Sequence, residues 1–162
     1  MDYQWWVYLH VFGAFVFAAA HGVSAVAAFR IRSTREPSRI RALLDVSQAG
    51  IGLTYIGLAL LLVGGIAAGV AGDHFSRGWI WASLGLLVVV MVLMYILATP
   101  FYKQFRMAVG ADARDVDPAS PAAPVATAEI EALAASSRPM LLAGVGLVGF
   151  VIILWLMLFK PF

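Results

Sequence analysis

Four long runs of apolar residues constrain this chain more than any other feature of its sequence. They cover roughly residues 5–29, 49–70, 79–99 and 140–159. A helix rises about 1.5 Å per residue, so roughly 20 residues are needed to cross about 30 Å of hydrocarbon. The sequence therefore predicts an all-α membrane protein, in which residues 1–162 form a single transmembrane domain built as a four-transmembrane-helix antiparallel bundle.

Lysine and arginine are distributed unevenly over the segments that connect the four runs. The connection after the first run holds five arginines, and the one after the third run holds four basic residues: Lys103, Arg106, Arg114 and Arg138. The opposite side holds only Arg77 and Lys160. Because cytoplasmic loops carry the excess of positive charge, we expect both termini outside, N-out and C-out, in the inner (plasma) membrane of a cell.

The connecting segments carry further local signals. The connection 71–78 is short, so we expect the second and third spans to pack as an antiparallel hairpin. Glu36-Pro37-Ser38 is typical of a helix start, which places the beginning of the second helix well before the membrane. Arg41 and Asp45 are four residues apart in this helix and are expected to pair.

Residues 100–139 are expected to form a cytoplasmic loop. Its middle, from about residue 112 to 128, is rich in Ala, Pro and Asp. This composition offers little apolar surface to bury, so we expect a flexible segment there. After it, Thr127 is a candidate cap for a short helix.

Composition excludes several kinds of site. The chain has no cysteine, which excludes disulfides and thiolate metal sites and leaves His, Met, Tyr and carboxylates as candidate ligands. The formal net charge is only +2, and the positive charge lies in the loops. It indicates membrane orientation, not binding to nucleic acid.

Histidines inside the first span are the candidates for chemistry, because ionisable groups are costly in hydrocarbon. His10 and His21 are eleven residues apart, which places them on one helix face, about 16 Å apart along the axis. That face also carries small residues, so we expect both histidines to point into the bundle.

Depth matching predicts what surrounds each histidine. His10 should lie in the outer half of the membrane, level with Gly64 and Gly65 and just below His74 of the short loop. His21 should lie in the cytoplasmic half, at the depth of Thr54, Tyr55, Met94 and Tyr95. Each histidine also has a purely structural interpretation, since a neutral imidazole hydrogen-bonded to a neighbouring helix is common in membrane proteins.

Two stretches carry a resemblance to known proteins. The opening Leu9-His10-Val11-Phe12-Gly13-Ala14 and the Arg-rich segment Ile40-Arg41-Ala42-Leu43-Leu44-Asp45 resemble an uncharacterised family of bacterial four-span integral membrane proteins. That family is distantly similar to copper-resistance protein D-like membrane domains and to the membrane protoporphyrinogen oxidase of the HemJ type. The resemblance implies haem or copper handling with the first-span histidine, here His10, as a metal ligand.

Two hypotheses on function follow. In the first, a small accessory or redox protein binds b-type haem through His10, with His74 or no protein group opposite and with room for the porphyrin at Gly64 and Gly65. In the second, a non-catalytic structural protein uses its histidines for packing and interacts with a membrane protein partner or with itself as a homo-oligomer. Neither hypothesis requires the protein to be an enzyme. A transporter is not favoured, since no acidic residue lies within a span.

Overall fold

The protein is all-α. The computed structural model describes residues 2–110 and 127–162, and the helical elements of this part are α1 (Tyr3–Arg32), α2 (Pro37–Ala71), a short 3-10 helix (His74–Ser76), α3 (Gly78–Ala108), α4 (Thr127–Ala134) and α5 (Arg138–Phe159). Four of these helices, α1, α2, α3 and α5, lie in stretches long and apolar enough to cross a membrane. The prediction of a four-helix membrane bundle is confirmed.

The four long helices alternate in direction, which gives the bundle two distinct ends. Both chain termini lie at one end, the termini end, where the amide of Trp79 donates to the carbonyl of Phe162. The other end, the arginine end, holds the connection between α1 and α2, the end of α3 and all of α4. Helix α2 begins at Pro37, because proline is favoured in the first turn, and the expected early start of the second helix is confirmed.

Helices α1 and α2 form the closest pair in the bundle. A methyl group built on Gly57 would lie 2.5 Å from the backbone nitrogen of Phe17, and one built on Gly64 would lie 2.5 Å from that of His10. A methyl group on Gly13 would overlap the backbone of Leu61. Backbone therefore packs on backbone along this pair, which only glycine permits.

Spacing of seven residues explains this pairing. On α2 the glycines at positions 50, 57 and 64 recur with this period, and on α1 the buried residues Gly13, Ala20 and Ala27 do the same. A seven-residue repeat of small side chains keeps one stripe of each helix against its partner. The face of α1 that packs on α2 therefore lies next to the face that carries His10 and His21. Both histidines are half-buried.

Helices α3 and α5 form the second close pair, where a methyl group on Gly149 would overlap the side chain of Val90. The expected hairpin of the second and third spans is only partly correct. Helices α2 and α3 run antiparallel and are joined by a short connection, but they pack much less closely than α1 with α2. Glycines at the α1–α2 contact account for this difference.

Side chains at the arginine end form a compact apolar cluster. Its buried members come from α1, α2, α3 and α4 and include Ile31, Ile40, Phe101, Phe105 and Ile130. The sequence placed a loop from residue 100 onward, whereas α3 continues through Pro100 to Ala108. Burial of the two phenylalanines, which form an edge-on pair with ring centroids 5.0 Å apart, offsets the hydrogen bond that the proline removes.

Arginines at this end bind the exposed carbonyls of helix ends. Arg41 donates through Nη2 to the carbonyls of Val109 and Gly110, at 2.9 and 2.7 Å. The expected pair of Arg41 with Asp45 is wrong: the ion-pair partner of Asp45 is Arg106, with Oδ1 of Asp45 3.8 Å from Nη1 of Arg106. Arg41 binds the C-terminus of α3 because the carbonyls there have no partner within the helix and because its positive charge complements the helix dipole.

The short helix expected near Thr127 is present as α4. The flexible segment expected from about residue 112 to 128 lies outside the described residues, except for residues 127 and 128, which begin α4.

Candidate functional site

His10 lies in the third turn of α1, on the side that meets α2. Its Nδ1 atom is 2.7 Å from the carbonyl oxygen of Leu61. Since a carbonyl can only accept, Nδ1 carries the proton and donates it. In a neutral imidazole the proton on Nδ1 leaves Nε2 as a free lone pair.

Both glycines predicted at the level of His10 contact it directly. The backbone of His10 takes the place that a side chain at Gly64 would occupy. A methyl group on Gly65 would lie 2.7 Å from Nδ1 and 3.0 Å from Cε1 of the imidazole. The predicted depth match therefore holds, but the space beside these glycines is filled by α1 and by the ring itself.

Nε2 is the atom of His10 that stays available. No group in the described part of the chain forms a hydrogen bond with it. The atom is also not fully buried. The Nδ1–Cε1 edge of the ring lies against Gly65, so the ring is held by α2 through one nitrogen while the other remains free for a ligand.

His74 lies at the termini end in the short 3-10 helix, after Asp73, whose backbone is left-handed with φ at 52°. Its Nε2 is 3.3 Å from the hydroxyl of Tyr3, and its ring packs against Trp79 with centroids 5.6 Å apart. Its Nδ1 and the Nε1 of Trp79 are both buried without a hydrogen-bond partner among the described residues. Among residues 2–110 and 127–162, no ring contact or hydrogen bond links His74 to His10.

His21 lies one helical turn after Phe17 and stacks on it, with centroids 5.7 Å apart and planes 6° from parallel. Its Nε2 faces Gly146 of α5, where an added methyl group would lie 3.8 Å away. Of the residues expected at this depth, Met94 faces the same glycine, with its Cε 3.2 Å from that methyl group. Tyr55 and Tyr95 do not, since they are 65% and 72% exposed on the outside of the bundle. Both tyrosine side chains therefore lie on the outer faces of α2 and α3.

The three histidines thus occupy separate places. In the described part of the chain, no group of three or more His, Cys, Asp or Glu side chains is close enough to hold a metal ion. The only sequence-predicted candidates that lie together are His10, Gly64 and Gly65.

Sequence reasoning missed a polar contact that joins three helices near the arginine end. The buried hydroxyl of Ser47 on α2 donates to the hydroxyl of Ser24 on α1 at 3.0 Å, and the Tyr102 hydroxyl on α3 donates to the carbonyl of Ser24 at 2.8 Å. Ser24 lies three residues after His21 in the first span, among the small residues of the histidine face. Ser47 and Tyr102 fell just outside the predicted spans, which is why their depth was not compared with it.

Comparison with known proteins places the chain in one family. A family described as "Predicted integral membrane protein (DUF2269)" matches residues 5–161. No curated protein matches the chain, and no solved structure matches it.

Proposed function

We propose that this chain, which belongs to the DUF2269 family of predicted integral membrane proteins, is a small accessory or redox component of a membrane that binds b-type haem through His10. The four spans lie in a lipid bilayer. The proposal rests on one observation, the hydrogen bond between Nδ1 of His10 and the carbonyl of Leu61.

This hydrogen bond is the kind that accompanies a ligating histidine. A backbone carbonyl that accepts from Nδ1 fixes the tautomer and the orientation of the ring, so that Nε2 carries the lone pair. Haem iron accepts histidine as an axial ligand, and the bundle around it sets its reduction potential. When bound, the haem would supply one-electron redox chemistry.

Nε2 of His10 is a suitable ligand atom for haem iron, but the layer at Gly64 and Gly65 leaves no room for the porphyrin. Since α1 fills the positions beside Gly64 and Gly65, a porphyrin would have to approach His10 from its Nε2 side. His74 is engaged with Tyr3 and Trp79, so His10 is the ligand we assign, and His74 stays a candidate for the opposite side only if its contacts rearrange.

A structural role is the second candidate, and one observation favours it. The imidazole of His10 packs on Gly65 and donates to α2, so it already joins two helices without any cofactor. In this case the protein would act through a membrane protein partner or as a homo-oligomer, and His10 would contribute only packing and one hydrogen bond.

Substitutions at His10 separate the two candidates. We expect His10→Gln to keep the fold, because the glutamine amide can donate to the Leu61 carbonyl, and to lose any haem signal, because the amide does not replace Nε2. His10→Ala should lose the signal and also about 1–2 kcal/mol of stability. The absorption spectrum of protein purified after haem-replete expression, read at the Soret band, measures the first effect, and thermal unfolding in detergent measures the second.

His21→Ala is the matched control on the same helix, and it should retain the Soret band. Equal loss of the band in both variants would contradict the assignment to His10. A wild-type protein without a Soret band would remove the haem proposal and leave the structural role.

We also propose that the arginine end faces the cytoplasm of a cell bounded by its plasma membrane, with both termini outside. The support is the nine-to-two distribution of lysine and arginine between the two sides, because short cytoplasmic loops carry the excess of positive charge.

Single cysteines test this orientation cleanly, because the chain has none of its own. Ser76 and Ser33 are exposed serines at the termini end and the arginine end. In intact cells, Ser76→Cys should react with a membrane-impermeant maleimide and Ser33→Cys should react only after the cells are opened. The reverse pattern would mean that the arginine end lies outside.

A further inference from the structure

An open groove runs along the outside of the α1–α2 pair, near the arginine end. Its volume is about 410 Å³, and residues of both helices line it, among them Gly22, Val23 and Val26 of α1 and Leu43 and Val46 of α2. Sites that hold small molecules have volumes of roughly 300–1,000 Å³. All of the lining residues are apolar, so the groove suits a hydrocarbon chain.

Two arginines continue the lining stripes toward the arginine end. Arg30 lies one helical turn beyond Val26 on α1, and Arg39 lies one turn before Leu43 on α2, so helical register places both at the same end of the groove. Both are exposed. Arg39 pairs with Glu36 at 2.7 Å, with side-chain exposures of 76% and 57%, and such a solvated pair contributes little free energy.

We propose that this groove binds an anionic phospholipid, with one acyl chain against Gly22, Val23 and Val46 and the phosphate near Arg30 and Arg39. Charge complementarity carries the assignment, since an apolar groove that ends at two cations matches an acyl chain that ends at a phosphate. The site lies at the opposite end of the bundle from His10, so it does not depend on haem.

A helix of a partner protein fits the same surface less well. Arginines at the mouth would then need acidic partners in the headgroup region, whereas anionic lipids are present there in any case.

The small size of Gly22 is the key feature: nothing lies within 4 Å of a methyl group built on it, so this glycine is not needed for contact between the helices.

Filling the groove tests the acyl-chain part of the proposal. Gly22→Leu should fold normally, because its Cβ meets nothing within 4 Å and the rest of the side chain extends into the open groove. Leucine also favours the helix more than glycine does. We expect it to weaken binding of dioleoyl-phosphatidylglycerol about tenfold or more, measured by native mass spectrometry of the detergent-solubilised full chain. Gly52→Leu is the matched control, since nothing lies within 4 Å of a methyl group there either and Gly52 is outside the groove.

Removing the two charges tests the headgroup part. Wild-type protein should prefer dioleoyl-phosphatidylglycerol over dioleoyl-phosphatidylcholine by about 25-fold, a factor of about five for each arginine. The double variant Arg30→Gln, Arg39→Gln should lose this preference and still bind both lipids weakly. Arg77→Gln, the control, removes one cation at the termini end and should keep the preference.

Three results would each overturn the site. These are equal binding of the two lipids by the wild type, unchanged binding of phosphatidylglycerol by Gly22→Leu, and an equal loss in the Gly52→Leu or Arg77→Gln control.

Discussion

Gly57→Leu is expected to separate α1 from α2 and to destabilise the protein by about 3 kcal/mol or more. At this position a methyl group alone would lie 2.5 Å from the nitrogen and 2.8 Å from the Cα atom of Phe17. Backbone atoms cannot move aside as the end of a flexible side chain does, so the helices must move apart. The other close contacts of this pair, including the one at Gly64, would loosen together.

Reversible unfolding in mixed micelles, followed by circular dichroism, measures this effect. Gly52→Leu on the same helix is the control, because its side chain would meet open space and leucine is the better helix former. We expect the control to match or exceed the stability of the wild type. Equal stability of Gly57→Leu and Gly52→Leu would show that the α1–α2 contact is not close packed.

Loss of the α1–α2 contact should also affect the candidate site. The ring of His10 is held by Leu61 and Gly65 of α2, so a displaced α2 can no longer fix its tautomer. If His10 binds haem, Gly57→Leu should weaken the Soret band although it changes no ligand. The site thus depends on glycines that themselves touch no cofactor.

The span positions could be predicted because hydrocarbon thickness fixes the length of an apolar run, whereas the helix pairing could not. The sequence indicates close packing at the glycines of the second span, namely those at 50, 52, 57 and 64 and the pair four residues apart, Gly65 and Gly69. Gly65 and Gly69 pack on the rings of His10 and Phe75, whereas nothing lies within 4 Å of a methyl group on Gly52. The actual contact follows the seven-residue repeat through Gly57 and Gly64. Both patterns are present in the sequence, and only the rotation of α2 decides between them.

The candidate site was predictable only in part, for a similar reason. The depth of His10 relative to Gly64 and Gly65 followed from counting residues along two antiparallel helices, and the structure confirms it. Counting gives depth but not rotation. Of the residues expected at the depth of His21, Met94 faces the same glycine of α5, whereas Tyr55 and Tyr95 lie exposed on the outside of the bundle. Whether His10 binds a cofactor depends on what approaches Nε2, and this stays a prediction.

Basic residues show a second limit of sequence reasoning. Their number predicts an orientation, but their individual contacts depend on where helices end. Arg32 donates to the carbonyl of Ala134 at the end of α4 at 3.4 Å, and Arg106 donates to the carbonyl of Leu44 at 3.1 Å. These arginines therefore also hold the arginine end together, which counting charges in loops does not reveal.

Phe105→Ala is expected to have the other large effect, a loss of about 3–5 kcal/mol in the free energy of unfolding. Phe105 is 0% exposed and lies in the apolar cluster that joins α1, α2, α3 and α4. Its removal would leave a cavity where neighbours from four helices meet, and few of them can move to fill it. Unfolding in mixed micelles would report the loss as a shift of the transition midpoint.

Tyr95→Ala is the control for this variant, since Tyr95 lies on the same helix and is 72% exposed on the lipid side. Its truncation removes an aromatic ring without opening a cavity, so it should cost about 1 kcal/mol or less. A loss at Phe105 no larger than that at Tyr95 would mean that the cluster contributes little cohesion. In that case the arginine end would be held mainly by the hydrogen bonds of its arginines to helix carbonyls, and Arg41→Gln, which removes the two bonds to Val109 and Gly110, would become the more damaging change.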